Sequence, residues 1–208
     1  MPDVLVVDLS HWNAEPDWPI LAKSVSGVIL KATQGYLVDP RFVSRVANAH
    51  KAGMLIGAYL FATGDLSPQA QVKAFLSVAG DIPLLAVDIE QNDIGHSPTV
   101  SQTAEIASLI AQQTNRPPLI YIGKYGPDGR GTGLPNSILS RSPLWVSEYA
   151  TVDKPNLPAG WQMWTLWQYT NRGTPNGAGG EVDISRWNPA GGDIGEWWKR
   201  ETGDRYLD

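Results

Sequence analysis

An irregular α/β barrel of eight strands is the fold the sequence predicts, and three observations predict it. Eight short apolar runs recur along the 208 residues. The first five are separated by segments with helical periodicity, and after the fifth the helices fade. Parallel strands need a crossover, usually helical, so this alternation argues for a parallel sheet, and eight such strands can close into a barrel. The second half then predicts an irregular barrel, with its final strands joined by loops and some of them antiparallel.

The elements follow in order. The first run, 4–7, ends at Asp8, and 15–24 has room for a short helix. The second run is 27–31. A helix over 41–52 follows, with Phe42, Val46 and Ala49 on one face and Gly53 as its stop. The third run is 55–61. A helix over 69–79 has Ser67 to cap it, Pro68 suited to its first turn, and a stripe of Val72, Phe75, Leu76 and Ala79. The fourth run is 84–89, followed by a helix over 100–113 with Ile106, Leu109, Ile110 and Gln113 on one face. The fifth run is 119–122. Beyond it, 124–142 and 171–180 are Gly-rich and 151–160 is Pro-rich, which reads as loops or short turns in place of crossover helices. The remaining runs are 144–147, 163–169 and 182–184, and the tail from 193, with Trp197-Trp198, docks as a last short helix. No repeat, linker or second domain is visible, so 1–208 reads as one barrel domain.

Composition excludes several classes. Apolar residues make up 42% and charged residues 18%, enough for a full core and too apolar for a disordered chain. A net charge of −5 without a basic cluster argues against nucleic acid as partner. The absence of cysteine removes disulfides, thiolate zinc sites and a cysteine nucleophile. The N-terminus lacks a signal-peptide pattern, and no apolar run nears the roughly 20 residues of a spanning helix, so neither export by its own leader nor membrane insertion is expected.

The acids carry the functional signal. Three apolar runs end in carboxylates on their C-terminal side: Asp8, then Asp88 and Glu90, then Asp183. In a barrel that side is where active sites are built. Strands one and eight become neighbours on closure, which brings Asp8 beside Asp183. Asp88 and Glu90 are two apart on a strand, so they share a face with Cα atoms roughly 6.5–7 Å apart. Any one acid alone could merely cap a turn; clustered, they raise the pKa of at least one member, as a glycosidase needs for its general acid. A Mg²⁺ or Ca²⁺ site is the other reading of four carboxylates, and the lack of neighbouring histidines apart from His11 disfavours a transition metal.

These residues sit in motifs that resemble the glycoside hydrolase family 25 lysozymes, the muramidases of autolysins and endolysins. The motifs are Val7-Asp8-Leu9-Ser10, Ile29-Leu30-Lys31-Ala32-Thr33-Gln34-Gly35, Gly57-Ala58-Tyr59-Leu60-Phe61, Val87-Asp88-Ile89-Glu90, Leu144-Trp145-Val146, Trp167-Gln168-Tyr169-Thr170 and Glu181-Val182-Asp183-Ile184. The resemblance implies an irregular TIM-like barrel, with five β/α units followed by three strands largely lacking helices. It implies cleavage of the β-1,4 bond between N-acetylmuramic acid and N-acetylglucosamine in peptidoglycan, with no cofactor and no metal. It places the functional acids on Asp8, Asp88, Glu90 and Asp183. Glu90 would be the general acid, and Asp88 would orient the substrate's 2-acetamido group or act as nucleophile. Leu60, Gln34, Asn13 and the Ser147-Glu148-Tyr149 run depart from the usual family pattern.

Sugar clefts use aromatic faces, so Trp145, Trp167, Tyr59 and Tyr121 are expected to form a platform, while Trp161 and Trp164 fill the core. Gln168 and Lys31 would hydrogen-bond the glycan, and Lys31 could instead pair with an acid. His50 ends a helix, His96 sits in a turn, and His11 either borders the cleft or lies on the surface. The 126–133 loop lacks a phosphate-loop ending and would frame the groove. The expected partner is the peptidoglycan glycan strand, bound by a monomer made in the cytoplasm and acting on the wall, with no separate wall-binding domain. The competing readings are a barrel that binds glycan or serves in a virion without catalysis, and a carbohydrase acting on chitin-like chains.

Overall fold

The structure, a computed structural model, describes residues 3–92, 95–123 and 138–202. All eight expected strands are present: β1 (Leu5–Leu9), β2 (Gly27–Gln34), β4 (Leu55–Phe61), β5 (Leu84–Ile89), β6 (Leu119–Gly123), β7 (Leu144–Ser147), β8 (Leu166–Gly173) and β9 (Val182–Trp187). They pair in the order β1-β9-β8-β7-β6-β5-β4-β2, and a parallel β1–β2 pairing closes the ring. An unforeseen two-residue strand, β3 (Leu37–Val38), folds back antiparallel on β2 outside the ring. Neighbours are parallel from β1 through β2, β4, β5, β6 and β7 to β8. β9 runs antiparallel to both β8 and β1. The short connection 174–181 dictates this, because a tight return can join only antiparallel strands.

The helices follow the expected punctuation. α1 is a single turn, Trp18–Leu21, started by Asp17, whose side chain accepts from Ile20 N. α2 spans Phe42–Lys51. α3 (Pro68–Ala79) is capped by the Ser67 hydroxyl. α4 (Val100–Thr114) begins with a Thr99–Gln102 capping box and ends at Asn115, which adopts the left-handed conformation at φ 60°. Ile138–Arg141 forms a single helical turn, α5, within the segment read as loops or short turns. Buried Leu139 packs into the outer core there, which supplies the reason for the turn. Residues 124–137 of that segment, including 126–133, lie outside the described residues. β8 starts and ends later than the run 163–169, because its extension pairs with β9 as far as Gly173 opposite Val182. Between β7 and β8 a loop replaces the crossover helix. It is pinned by the buried Glu148 carboxylate, which accepts from Asn156 N and Nδ2.

Period-two alternation gives the barrel two cores. Outward residues such as Val7, Leu30, Leu60 and Val87 pack against Phe42, Val72, Phe75 and Ile106 from the helices. Inward residues, among them Val6, Ile29, Leu84, Ala86, Leu119 and Leu166, fill the barrel. The C-terminal helix α6 (Ile194–Thr202) plugs the end where the parallel strands begin. Trp198 lies against Gly27 there and donates its indole N–H to the Ile56 carbonyl at 3.1 Å. With that end filled, the opposite mouth is left for a site. No described helix is long and apolar enough to cross a membrane.

Candidate active site

The mouth holds an open cleft of about 520 Å³ whose lining includes Asp8, Asp88, Glu90 and Asp183. The strands account for this convergence. Asp8 and Asp183 are cross-strand partners on β1 and β9. Asp88 stands on β5 beside Tyr121 on β6 and Phe61 on β4. Glu90 follows the end of β5, shares the face of Asp88, and is exposed to solvent.

Burial and mutual repulsion set the protonation states. Burial, and then the charge of Asp183, push the Asp8 carboxyl well above the usual range, against a hydrogen bond from Gln168 Nε2 to Asp8 Oδ2 at 2.9 Å. Burial raises Asp183 to about 6. Asp88 is pushed up by burial, Glu90 and Asp8, with Lys31 opposing. Its Oδ1 is buried and accepts no hydrogen bond from any described group. Among the described residues no three His, Asp or Glu side chains converge as a metal shell.

Below the acids lies an aromatic and amide layer. Tyr121 and Tyr149 both donate to Gln168 Oε1, at 2.7 and 2.6 Å. With its oxygen taken twice, the Gln168 amide must turn its NH₂ to Asp8. Trp145 packs edge-on to Tyr121 at 4.7 Å and donates to Ser185 Oγ at 2.8 Å. Tyr59 lines the floor, its phenol held neutral by burial and the acids around it. Lys31 Nζ donates to Gln34 Oε1 at 2.7 Å and sits 4.5 Å from the Phe61 ring centroid. Burial lowers its pKa, against the pull of Asp88, Asp39 and Glu90.

The sequence-predicted residues Lys31, Tyr59, Tyr121, Trp145 and Gln168 all reach this cleft. Trp167 does not, which corrects the expected platform. Leu166 and Gln168 point inward, so Trp167 between them faces the outer core, where its indole donates to the Glu148 carbonyl at 3.0 Å. Trp161 and Trp164 pack against that same core, as expected. His11 is not part of the cleft lining; its Nδ1 instead meets buried Asp39 at 2.9 Å, beside the cleft residues Ser10 and Trp12. Sequence reasoning missed Trp12, Phe61, Tyr149 and Asn171 in the lining. Phe61 was readable, being two residues beyond Tyr59 on one strand. Trp12, Tyr149 and Asn171 lie on loops or on strand extensions, where no period points to a face.

An exposed carboxyl beside a buried carboxylate with a free oxygen, backed by two acids that resist full ionisation, suits acid-assisted cleavage of an acetal. A family model described as "Glycosyl hydrolases family 25" matches residues 7–178. The chain is 32% identical over 198 residues to lysozyme M1 of Streptomyces globisporus, covering 88% of this chain and 67% of that one. It superposes on the bacterial lysozyme of Streptomyces coelicolor with a TM-score of 0.84 at 28% identity, covering 97% of this chain and 98% of that one. It superposes on the muramidase of Acremonium alcalophilum at 0.78 and 26% identity, covering 97% of this chain and all 100% of that one.

Proposed function

The chain belongs to glycosyl hydrolases family 25, and from that premise we propose that it is a muramidase cutting the β-1,4 bond between N-acetylmuramic acid and N-acetylglucosamine, with Glu90 as general acid. The observation that carries the assignment of roles is the unpartnered Asp88 Oδ1 in the same cleft as Glu90. An acetamido N–H is a donor suited to that oxygen. Asp88 would hold the group so that its carbonyl oxygen attacks the anomeric carbon while Glu90 protonates the leaving oxygen. The C–O bond breaks, a cyclic oxazolinium forms, and the Glu90 carboxylate then takes a proton from the water that opens it. Asp8 and Asp183, holding less than two negative charges between them, keep the pocket from repelling Asp88. The alternative role for Asp88 is that of a nucleophile forming a covalent sugar ester.

The substrate is the glycan strand of the bacterial wall, with one barrel, acting alone as a monomer, as the catalytic unit. Reducing-sugar release from purified peptidoglycan tests the reading. The parent should release ends that mass spectrometry identifies as N-acetylmuramic acid, and Glu90→Gln should lose about 10²–10⁴ of the rate. Release from chitin but not from peptidoglycan would overturn the substrate. Binding without release would favour a glycan-binding barrel. A sugar adduct trapped on Asp88 would replace acetamido assistance with covalent catalysis.

A further inference from the structure

The loop between β1 and α1 is held far more firmly than a surface turn requires. Arg45 of α2 is 1% exposed, yet every hydrogen bond its side chain makes reaches this loop. Its guanidinium donates to the carbonyls of Ser10, Asn13 and Ala14 and to the Glu15 carboxylate, at 2.6–3.0 Å. Arg41 adds a second bond to the Asn13 carbonyl at 2.7 Å. Buried Asp39 takes both the backbone N–H and the ring Nδ1 of His11 at 2.9 Å. Two buried charged groups are thus committed to one short loop, and they need these partners to be tolerated at all.

What the loop presents is Trp12. Its side chain is 83% exposed, lines the cleft, and packs on the His11 ring with centroids 4.5 Å apart. An indole left in water gains nothing for the fold, so rigid support of an exposed one serves whatever lands on it. Round the barrel, β1 is separated from β5, which carries Asp88 and precedes Glu90, by β2 and β4. Trp12 therefore stands at the other side of the mouth from the acid pair.

We propose that the Trp12 indole face is a stacking platform for a pyranose ring of the glycan strand, displaced from the bond that is cut. The inference rests on the muramidase reading for the identity of the polymer. The apolar C–H face of the sugar covers the indole, and the pedestal of Arg45, Asp39 and His11 spares the loop the ordering cost on binding. The cleft continues directly onto this surface, which is why the same strand, and not a separate partner, is the occupant.

The test compares the parent with Trp12→Ala and Trp12→Phe on two substrates, intact peptidoglycan and glycan strands stripped of peptide. The binding of stripped strands is measured in the Glu90→Gln background. Trp12→Ala should raise KM and weaken binding by about threefold to tenfold on both substrates, with kcat within about twofold and an unchanged thermal midpoint, and Trp12→Phe should recover most of the loss. Unchanged KM and binding would overturn the proposal, as would a fall in kcat alone. An effect on intact wall that vanishes on stripped strands would also overturn it, by assigning the surface to the stem peptide. If the parent releases no sugar, the muramidase reading fails separately. Weaker binding of strands by Trp12→Ala would then still support the platform, and unaltered binding would sink it.

Discussion

Asp8 and Asp183 face each other as Cα partners across the antiparallel β1–β9 pair, where the first strand of the barrel meets the last. The chain thus places a buried carboxyl beside a half-buried one where its first and last strands meet. Among the described residues neither has a cation as its close partner, and the one side-chain hydrogen bond from the pocket to this pair comes from the neutral Gln168 amide. Such a pair titrates as a unit and resists losing its second proton.

The first prediction follows from the sign of that shift. Asp183 is raised from 3.8 to about 6, so the folded state holds a proton that the unfolded chain has released. Stability from this group is therefore full below about pH 4 and declines as pH rises to 6, then levels. Asp183→Asn removes the dependence. Allowing for its partial exposure, the variant should be more stable than the parent by about 1–2 kcal/mol at pH 7, with little difference at pH 4. Urea denaturation at both pH values reads this, and a variant less stable at pH 7 would contradict it. Activity should fall in the same variant, separating stability from function.

A second prediction concerns the amide that links the aromatic floor to the acids. Gln168→Glu keeps the oxygen for Tyr121 and Tyr149 but replaces the donor to Asp8 with another acceptor. A third acid against Asp8 and Asp183 should cost about 2–4 kcal/mol at pH 7 and lower kcat by at least about tenfold. Tyr149→Phe removes one of two donors to the same oxygen, so it should cost only about 1 kcal/mol. Steady-state kinetics with thermal unfolding distinguish the two. Equal effects would mean that Tyr149, and not the amide's orientation, is the controlling group.

Much of this arrangement was legible before the structure. The eight strands announced themselves because buried β-strands are short apolar runs between turn residues, and the four acids because they end those runs. Trp167 was misplaced for a physical reason: a run apolar on both faces, such as Leu166-Trp167, carries no alternation to say which side chain enters the barrel. β3 was invisible because two residues make no pattern. The support beneath Trp12 was unreadable for a third reason. Arg45 meets its loop partners from about 30 or more positions away along the chain, and no local spacing encodes that meeting.

The third prediction tests that support. Arg45→Ala removes the guanidinium donor of the Ala14 carbonyl and one of two donors from each of the Ser10 and Asn13 carbonyls, which keep Asn13 N and Arg41, so the loop loses four hydrogen bonds, counting the one to Glu15, at once. The loss should be about 3 kcal/mol or more in chemical denaturation. Glu15 adds little, because it is half exposed and can be solvated. Arg45→Lys should recover less than half, since a single ammonium cannot reach three carbonyls and a carboxylate in the geometry of a planar fork. Full recovery by lysine would show that charge alone, and not the fork, holds the loop.

The last prediction addresses the end of the barrel opposite the site. The indole of Trp198 is 2% exposed, donates to the Ile56 carbonyl, and meets Trp197 at a centroid distance of 6.1 Å. Trp197 in turn lies 5.0 Å from Trp187 on β9. This stack occupies the barrel interior below Ile29 and Leu84, so helix α6 acts as core and not as an appendage. Trp198→Phe keeps a ring in place but strands the Ile56 carbonyl, at a cost of about 1–2 kcal/mol. Trp198→Ala opens a cavity at the barrel floor, at about 3–5 kcal/mol. Since the layers of Tyr59, Tyr121 and Trp145 stand between this floor and the acids, both variants should keep near-parental kcat well below their unfolding temperatures. A loss in Trp198→Ala under about 1 kcal/mol would mean that the eight strands close without α6. A collapse of kcat in a folded Trp198→Phe would mean that the plug sets the height of the catalytic layer.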